Sequence, residues 1–229
     1  MASIAELKRD AGRRAVEFVE DGMSVGLGSG STAREFVRAL AERLQQEDLT
    51  IRAVASSEGT EKLAGELGIP LVEHEEPLDL AIDGADAVER DTLAAIKGLG
   101  GALVREKLIA QAAVRFVLVV DESKVYTRFT QSHPDIPVPV EVLPFGWKLT
   151  HQRLAHLGNP VLRERSDEPF ISDNGNLILD LYGCDFQDVL SLAQQIKVIS
   201  GVVDHGLFCN LVTDAVVAKE SGIEILRVR

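Results

Sequence analysis

Short apolar runs alternate with amphipathic stretches over the first 120 residues, and no other feature restricts the fold as strongly. Ile4, Leu7, Ala11, Ala15, Phe18 and Val19 recur at helical spacing, so the first twenty residues read as a helix. "SVGLG" follows as a strand, then "SGST", then a helix from about Ala33 to Gln45. "TIRAVA" is the next strand, "SSEGT" a turn, and "TEKLAGELG" a helix capped by Gly68. "IPLV" and "LDLAID" read as strands, "ALVREKLIAQAA" as a helix and "FVLVV" as a buried strand. Such alternation covers both faces of a largely parallel sheet with helices, which makes the chain an α/β protein. In these sheets ligands bind where the carboxyl ends of strands enter loops. That rule marks residues 28–32, 56–60, 83–91 and 121–127, and the glycine-rich segment 97–101 also leads into a helix.

The pattern changes near residue 128. "HPDIPVPVEVLPFGW" carries four prolines from Pro134 to Pro144, which suits an extended connector or an edge strand, because proline has no N–H to give a sheet. A helix around Trp147 to Leu157 follows, then two strands about "SDNGN", where Asn174-Gly175 signals a hairpin, then a helix near 186–196. "AVVA" and "IEILRV" return to the main sheet. The expected division is an α/β domain at 1–128 plus 206–229, carrying the site loops, with a smaller inserted α+β domain at 129–205.

Composition removes several function classes. The net charge of −12, without a visible basic patch, disfavours nucleic acid and anionic membrane as partners. "MASIAELKRDAGRRAVEFVEDG" mixes acids with bases and has no apolar core, so it is no signal peptide, and "FVLVV" is far too short to span a bilayer. A soluble, cytoplasmic protein is expected. Cys184 and Cys209 match no metal spacing and read as free thiols. His74, His133, His151, His156 and His205 form no HxH or HExxH pattern, and Ser56 and Ser57 lie in no GxSxG elbow.

Three loops can carry chemistry. In "GLGSGST" (26–32), glycines and hydroxyls stand between a strand and a helix, where backbone N–H groups and the helix dipole suit a phosphate. An ordinary capped turn would use the same residues. The loop is not a Walker A motif, since no lysine follows Gly30, and it lacks the third glycine of a dinucleotide fingerprint. In "LDLAIDGADAVE", Asp83 and Asp86 follow a strand. Paired carboxylates can exchange protons with sugar hydroxyls, hold a divalent cation, or simply stabilise a turn. In "IKGLGGALVREKLIA", Lys97 precedes Gly98, Gly100 and Gly101, and Glu106 lies on the following helix. A lysine beside bare N–H groups can hold an oxyanion, and a glutamate nearby can remove a proton from carbon. "REK" could equally be a solvated face. Two acids, two lysines (Lys97 and Lys124) and two polar glycine loops fit proton transfer on a small phosphorylated carbohydrate.

Taken together, "GLGSGSTA", "SSEGT", "DLAIDGAD", "IKGLGGALVREKLIA", "VVDESK", "PVPVEVLPFGW" and "SDNGNLILD" resemble the ribose-5-phosphate isomerase A family in order and separation, from about Leu7 to Leu226. The resemblance implies a Rossmann-like, cofactor-free aldose–ketose isomerase of the non-oxidative pentose phosphate pathway. It implies a phosphosugar substrate and a homodimer or homotetramer, with no metal. Ser29, Gly30, Ser31 and Thr32 then match the substrate loop at its phosphate end, and Lys8 a lysine near the phosphate. Asp83, Gly84, Ala85 and Asp86 match the acidic loop, and Lys97, Gly98, Leu99 and Gly100 the glycine-rich substrate segment. Glu106 matches the proton acceptor and Lys124 a further substrate lysine. Two departures stand out: Ser29 where many members have threonine, and Leu99 within what is often a longer glycine run. A leucine would be strained at φ > 0, so Leu99 is expected to point away with the cradle intact. The competing readings are a sugar-phosphate sensor without turnover and an acyl-CoA transferase with a glutamate nucleophile; the latter has no use for the double-aspartate loop.

Overall fold

Side chains that cap helix ends set where the first elements start. In the computed structural model, which describes residues 3–73, 77–129 and 136–228, Ser3 and Glu6 form a capping box at the start of α1 (Ile4–Val16). The strand β1 (Ser24–Leu27) leads to α2 (Gly30–Gln46), and β2 (Arg52–Ala55) to α3 (Glu58–Glu66), whose cap is Ser57. Gly68 ends α3 at φ +74°, with the Gly68 and Ile69 N–H groups bonded to the Gly65 and Ala64 carbonyls. Next come β3 (Leu78–Asp83), β4 (Ala87–Glu89), β5 (Ala95–Ile96), α4 (Leu103–Ala112), β6 (Ala113–Asp121), a helical turn at Glu122–Lys124 and β7 (Val125–Tyr126). The remainder runs β8 (Val138–Val142), α5 (Trp147–Leu154), β9 (Asn159–Leu162), β10 (Glu164–Arg165), β11 (Glu168–Pro169), β12 (Leu177–Tyr182) and α6 (Val189–Lys197). It ends with β13 (Val202–His205), β14 (Leu207–Phe208), β15 (Asp214–Lys219) and β16 (Gly222–Arg227).

The main sheet has the order β16-β15-β6-β3-β1-β2, with β16 antiparallel and the rest parallel. Side chains alternate along its strands, so Val25, Leu27, Leu80, Ile82, Val117, Val119 and Val216 pack under α1, α2 and α3. Ala81, Leu118, Val120, Ala215 and Val217 face α4 and a small sheet of order β14-β5-β4-β7. A second added sheet, β13-β8-β12-β9, is antiparallel throughout and packs with α5 and α6 around Val138, Val140, Leu179, Leu181 and Ile196. The protein is thus α/β, with a Rossmann-like parallel sheet flanked by helices and added antiparallel sheets.

Several expectations change in detail. The first helix stops at Val16, and Phe18 and Val19 reach the core from the turn beyond it. The second begins at Gly30, so residues 30–32 form its first turn and not a loop before it. "IPLV" shrinks to a single bridge between Leu71 and Ala53. The proline-rich segment is no edge: β8 lies between β12 and β13. Pro139 is tolerated there because β13 pairs with residues 140–142, beyond the missing N–H, while the Pro139 carbonyl still accepts from Gly206. The first strand about "SDNGN" is reduced to the Ile171–Leu177 bridge, with Gly175 at φ +77° closing the turn. His74, His133 and Pro134 lie outside the described residues.

Candidate active site

The carboxyl ends of β1, β2, β3 and β6 point to one edge of the sheet, and three of the four loops there converge with the segment 97–101. Asp83 ends β3 and is buried. Its Oδ1 accepts from the Ser29 N–H (2.8 Å) and the Gly84 N–H (2.7 Å). A Cβ on Gly28 would lie 2.3 Å from the Asp83 carboxylate, so only glycine lets β1 come this close. Lys97, which follows β5, places its Nζ 3.0 Å from Asp83 Oδ2 and 3.4 Å from Glu106 Oε2, and also donates to the Gly84 carbonyl. One ammonium therefore meets two buried carboxylates.

These three groups shift one another. Burial pushes Glu106 up to about 8, against the pull of Lys97, with Asp83 and Asp86 adding repulsion. Burial also raises Asp83, although Lys97 and the two N–H donors oppose it. Burial alone would depress Lys97, but the charges of Asp83 and Glu106 outweigh it and hold it above the ordinary lysine value. Glu106 Oε2 has no hydrogen-bond donor among the described residues, only the longer ion pair. A carboxylate short of donors binds a proton more readily, which is in line with the raised value of Glu106.

The glycine segment closes a turn, with the Gly101 N–H bonded to the Gly98 carbonyl (3.0 Å). Gly98 and Gly101 have φ of +99° and +92°, whereas Leu99 does not take a positive φ and its side chain is 43% exposed. The turn therefore accommodates leucine without backbone strain. The Leu99 N–H donates to Asp86 Oδ2 (3.0 Å), and the Gly100 N–H has no acceptor among the described residues.

On the other side, Ser29 precedes α2 without capping it; its Oγ bonds Ser56 (2.7 Å) and Ser57 (2.8 Å). No side chain caps the first turn of this 17-residue helix and no acid lies in it, which leaves its N-terminal charge for an anion. Lys8 reaches across from α1 to Ser31 Oγ (2.9 Å). Thr32 is buried in the same turn.

Two of the expected residues stand apart. Ala85 is half-buried and packs against the core on the α4 side of the main sheet. Lys124 lies in the helical turn after β6 at the same edge and makes no hydrogen bond or ion pair among the described residues. The sequence reading gave no site role to Ser56 or Ser57, although the strand-end rule had marked 56–60, and it placed Gly28 in the marked 28–32 loop without a role of its own. It also missed Arg163, which donates to the Gly98 and Leu99 carbonyls from far along the chain. A cavity of about 690 Å³ elsewhere shares no lining residue with this cluster and sets Glu89, Asp185 and Asp188 against Arg128, a poor match for phosphate.

Residues 52–222 match the family Ribose 5-phosphate isomerase A (phosphoriboisomerase A). A ribose-5-phosphate isomerase A from Synechococcus sp. (strain JA-3-3Ab) is 46% identical, covering 99% of both chains. The chain belongs to the ribose 5-phosphate isomerase A family. The enzyme of that name from Thermomicrobium roseum is 48% identical over 96% of this chain and 92% of its own. Among solved structures, ribose 5-phosphate isomerase A from Methanocaldococcus jannaschii superimposes with a TM-score of 0.92 at 38% identity, covering 98% of this chain and 100% of that one. A D-ribose-5-phosphate isomerase in complex with phospho-erythronic acid gives 0.93 at 33% identity, covering 99% and 100%.

Proposed function

We propose that this isomerase interconverts D-ribose 5-phosphate and D-ribulose 5-phosphate through an enediolate formed between Asp83, Lys97 and Glu106. The observation that carries the reading is the buried Glu106 carboxylate, raised to about 8 and short of hydrogen-bond donors, beside a lysine held charged by Asp83. A base of this strength suits removal of a proton α to a carbonyl. Asp83 or Asp86 assists ring opening. Glu106 takes the C2 proton, the C2–H electron pair forms the C1=C2 bond, and negative charge moves onto oxygen. Lys97 and the Gly100 N–H stabilise that oxygen, while the Leu99 N–H holds Asp86 beside it. An aspartate carries the hydroxyl proton between O2 and O1, and Glu106 returns its proton to C1. Ser29, Gly30, Ser31, Thr32 and Lys8 hold the phosphate, whose binding energy places the far end of the sugar. Gly84 supplies its carbonyl to Lys97, Gly98 and Gly100 leave backbone open to the sugar, and Lys124 closes on the substrate from the β6 side.

The test is ribulose 5-phosphate formation from ribose 5-phosphate with EDTA present, in wild type and Glu106→Gln. Glu106→Gln should lose at least about 1,000-fold in kcat while still binding substrate. Wild-type binding without turnover would overturn the reading and leave a sensor.

No helix among the described residues is long and apolar enough to cross a membrane. A cytoplasmic location, the division into 1–128 plus 206–229 and 129–205, and a homodimer or homotetramer belong to the same proposal. Phe145, Leu149 and Val198, exposed at 94%, 61% and 80%, support an interface between copies, which light scattering on the purified chain would test.

A further inference from the structure

We propose that Arg163, locked by Asp180, is a positioning residue that aims the Gly100 N–H at the reacting sugar and holds Asp86 through the Leu99 N–H. The inference rests on the isomerase reading above. Arg163 follows β9, and its backbone is sewn into the second sheet through the Ile178 carbonyl (2.9 Å) and the Phe170 N–H (2.8 Å). Its guanidinium grips Asp180 through two nitrogens, with Nε at 2.8 Å, and both side chains are mostly buried. The fork geometry of such a pair fixes the guanidinium plane.

The free edge of that plane reaches the glycine turn. A single nitrogen, Nη1, donates to the Gly98 carbonyl (2.9 Å) and to the Leu99 carbonyl (3.0 Å). In a trans peptide the C=O and the next N–H point in opposite directions. Drawing both carbonyls to one point therefore turns the Leu99 and Gly100 N–H groups the other way. The first meets Asp86 Oδ2 at 3.0 Å and the second has no acceptor among the described residues. Two successive N–H groups aimed together make an anion-binding concavity. Phe170 backs the same turn: a Cβ on Gly101 would lie 2.5 Å from its ring. Arg163 thus acts through the peptide planes and through Asp86, without touching the substrate itself.

Wild type, Arg163→Met, Arg163→Lys and Asp180→Asn would be compared for kcat, KM, affinity for phospho-erythronic acid and amide hydrogen exchange at Leu99 and Gly100. The carboxylate of that acid mimics the two oxygens of the enediolate. Misaiming preorganised donors should lower kcat roughly 100-fold in Arg163→Met. KM should stay within about threefold, because ground-state binding runs through the phosphate. Affinity for the acid should fall with kcat. Arg163→Lys should not rescue, since one ammonium cannot span Asp180 and both carbonyls. If Arg163→Met does not fold, Asp180→Asn carries the same comparison. Unchanged kcat and unchanged exchange in folded variants would overturn the proposal, as would a rise in KM alone. Wild-type turnover is the reference throughout, so failure of the isomerase reading would show itself separately.

Discussion

Glu106 illustrates how far one residue's surroundings can move its chemistry. Two positions later on α4, where Leu108 is exposed, it would be a surface acid; here it is buried and raised to about 8. In the free enzyme a base of this kind must lose its proton to work, so kcat/KM should climb with pH and level off above about 8, which a pH–rate profile would check. Lys97, raised above its ordinary value, keeps the alkaline limb well beyond that plateau. The same shift bears on stability. A carboxyl raised on folding favours the fold most below its unfolded value of 4.5, and that contribution is lost as pH rises through about 8. Glu106→Gln should therefore raise Tm relative to wild type by roughly 5 °C at pH 9 and by much less at pH 5. Equal Tm differences at the two pH values would contradict the assignment.

At the scale of elements, the site depends on how closely β1 and β3 approach. The Ser29 and Gly84 N–H groups hold Asp83 only because Gly28 leaves room for its carboxylate. Gly28→Ala should push Asp83 off Lys97 and reduce kcat by roughly 100-fold, with Tm lowered by several degrees. A crystal structure of the variant with Asp83 unmoved would refute this. The strands and helices of the first 120 residues were legible because their apolar spacing repeats with period 2 or 3.6. The small sheet was not, since β4, β5, β7 and β14 hold two or three residues each, too few for a period. β8 was misread as an edge because proline marks a missing donor but not which neighbour goes without it.

At the scale of the whole molecule, α4 is tied to the second sheet through Lys107. Its Nζ donates to Asp204 Oδ1 (2.7 Å), to the His205 carbonyl and towards His205 Nδ1 (3.3 Å), where the Leu207 N–H also points (3.2 Å). Two donors at Nδ1 require a neutral imidazole. Burial lowers His205 to about 3, with the Lys107 charge adding to it and Asp204 opposing. A histidine depressed on folding stabilises above its unfolded value of 6.5, and that contribution is lost as pH falls from 6.5 towards about 3. His205→Gln should be less stable than wild type at pH 7.5, with the gap in Tm narrowing over that range; parallel curves would contradict it. Arg105 makes a second tie, bonding Asn174 Oδ1 (2.9 Å) and the Asp173 carbonyl (2.7 Å) at the "SDNGN" turn. Both ties join residues nearly 70 or more positions apart, and both flank Glu106 on its own helix.

The sequence by itself determined the α/β class, the strand-end loops and the motifs "GLGSGST", "DLAIDGAD" and "IKGLGGALVREKLIA", because periodicity and glycine placement act over a few residues. Only the tertiary structure decided that Lys97 lies between Asp83 and Glu106, that Leu99 escapes strain, and that Arg163 grips the glycine turn. These follow from burial and from contacts between distant segments, and local sequence carries no record of which water a side chain will lose or which charge it will meet.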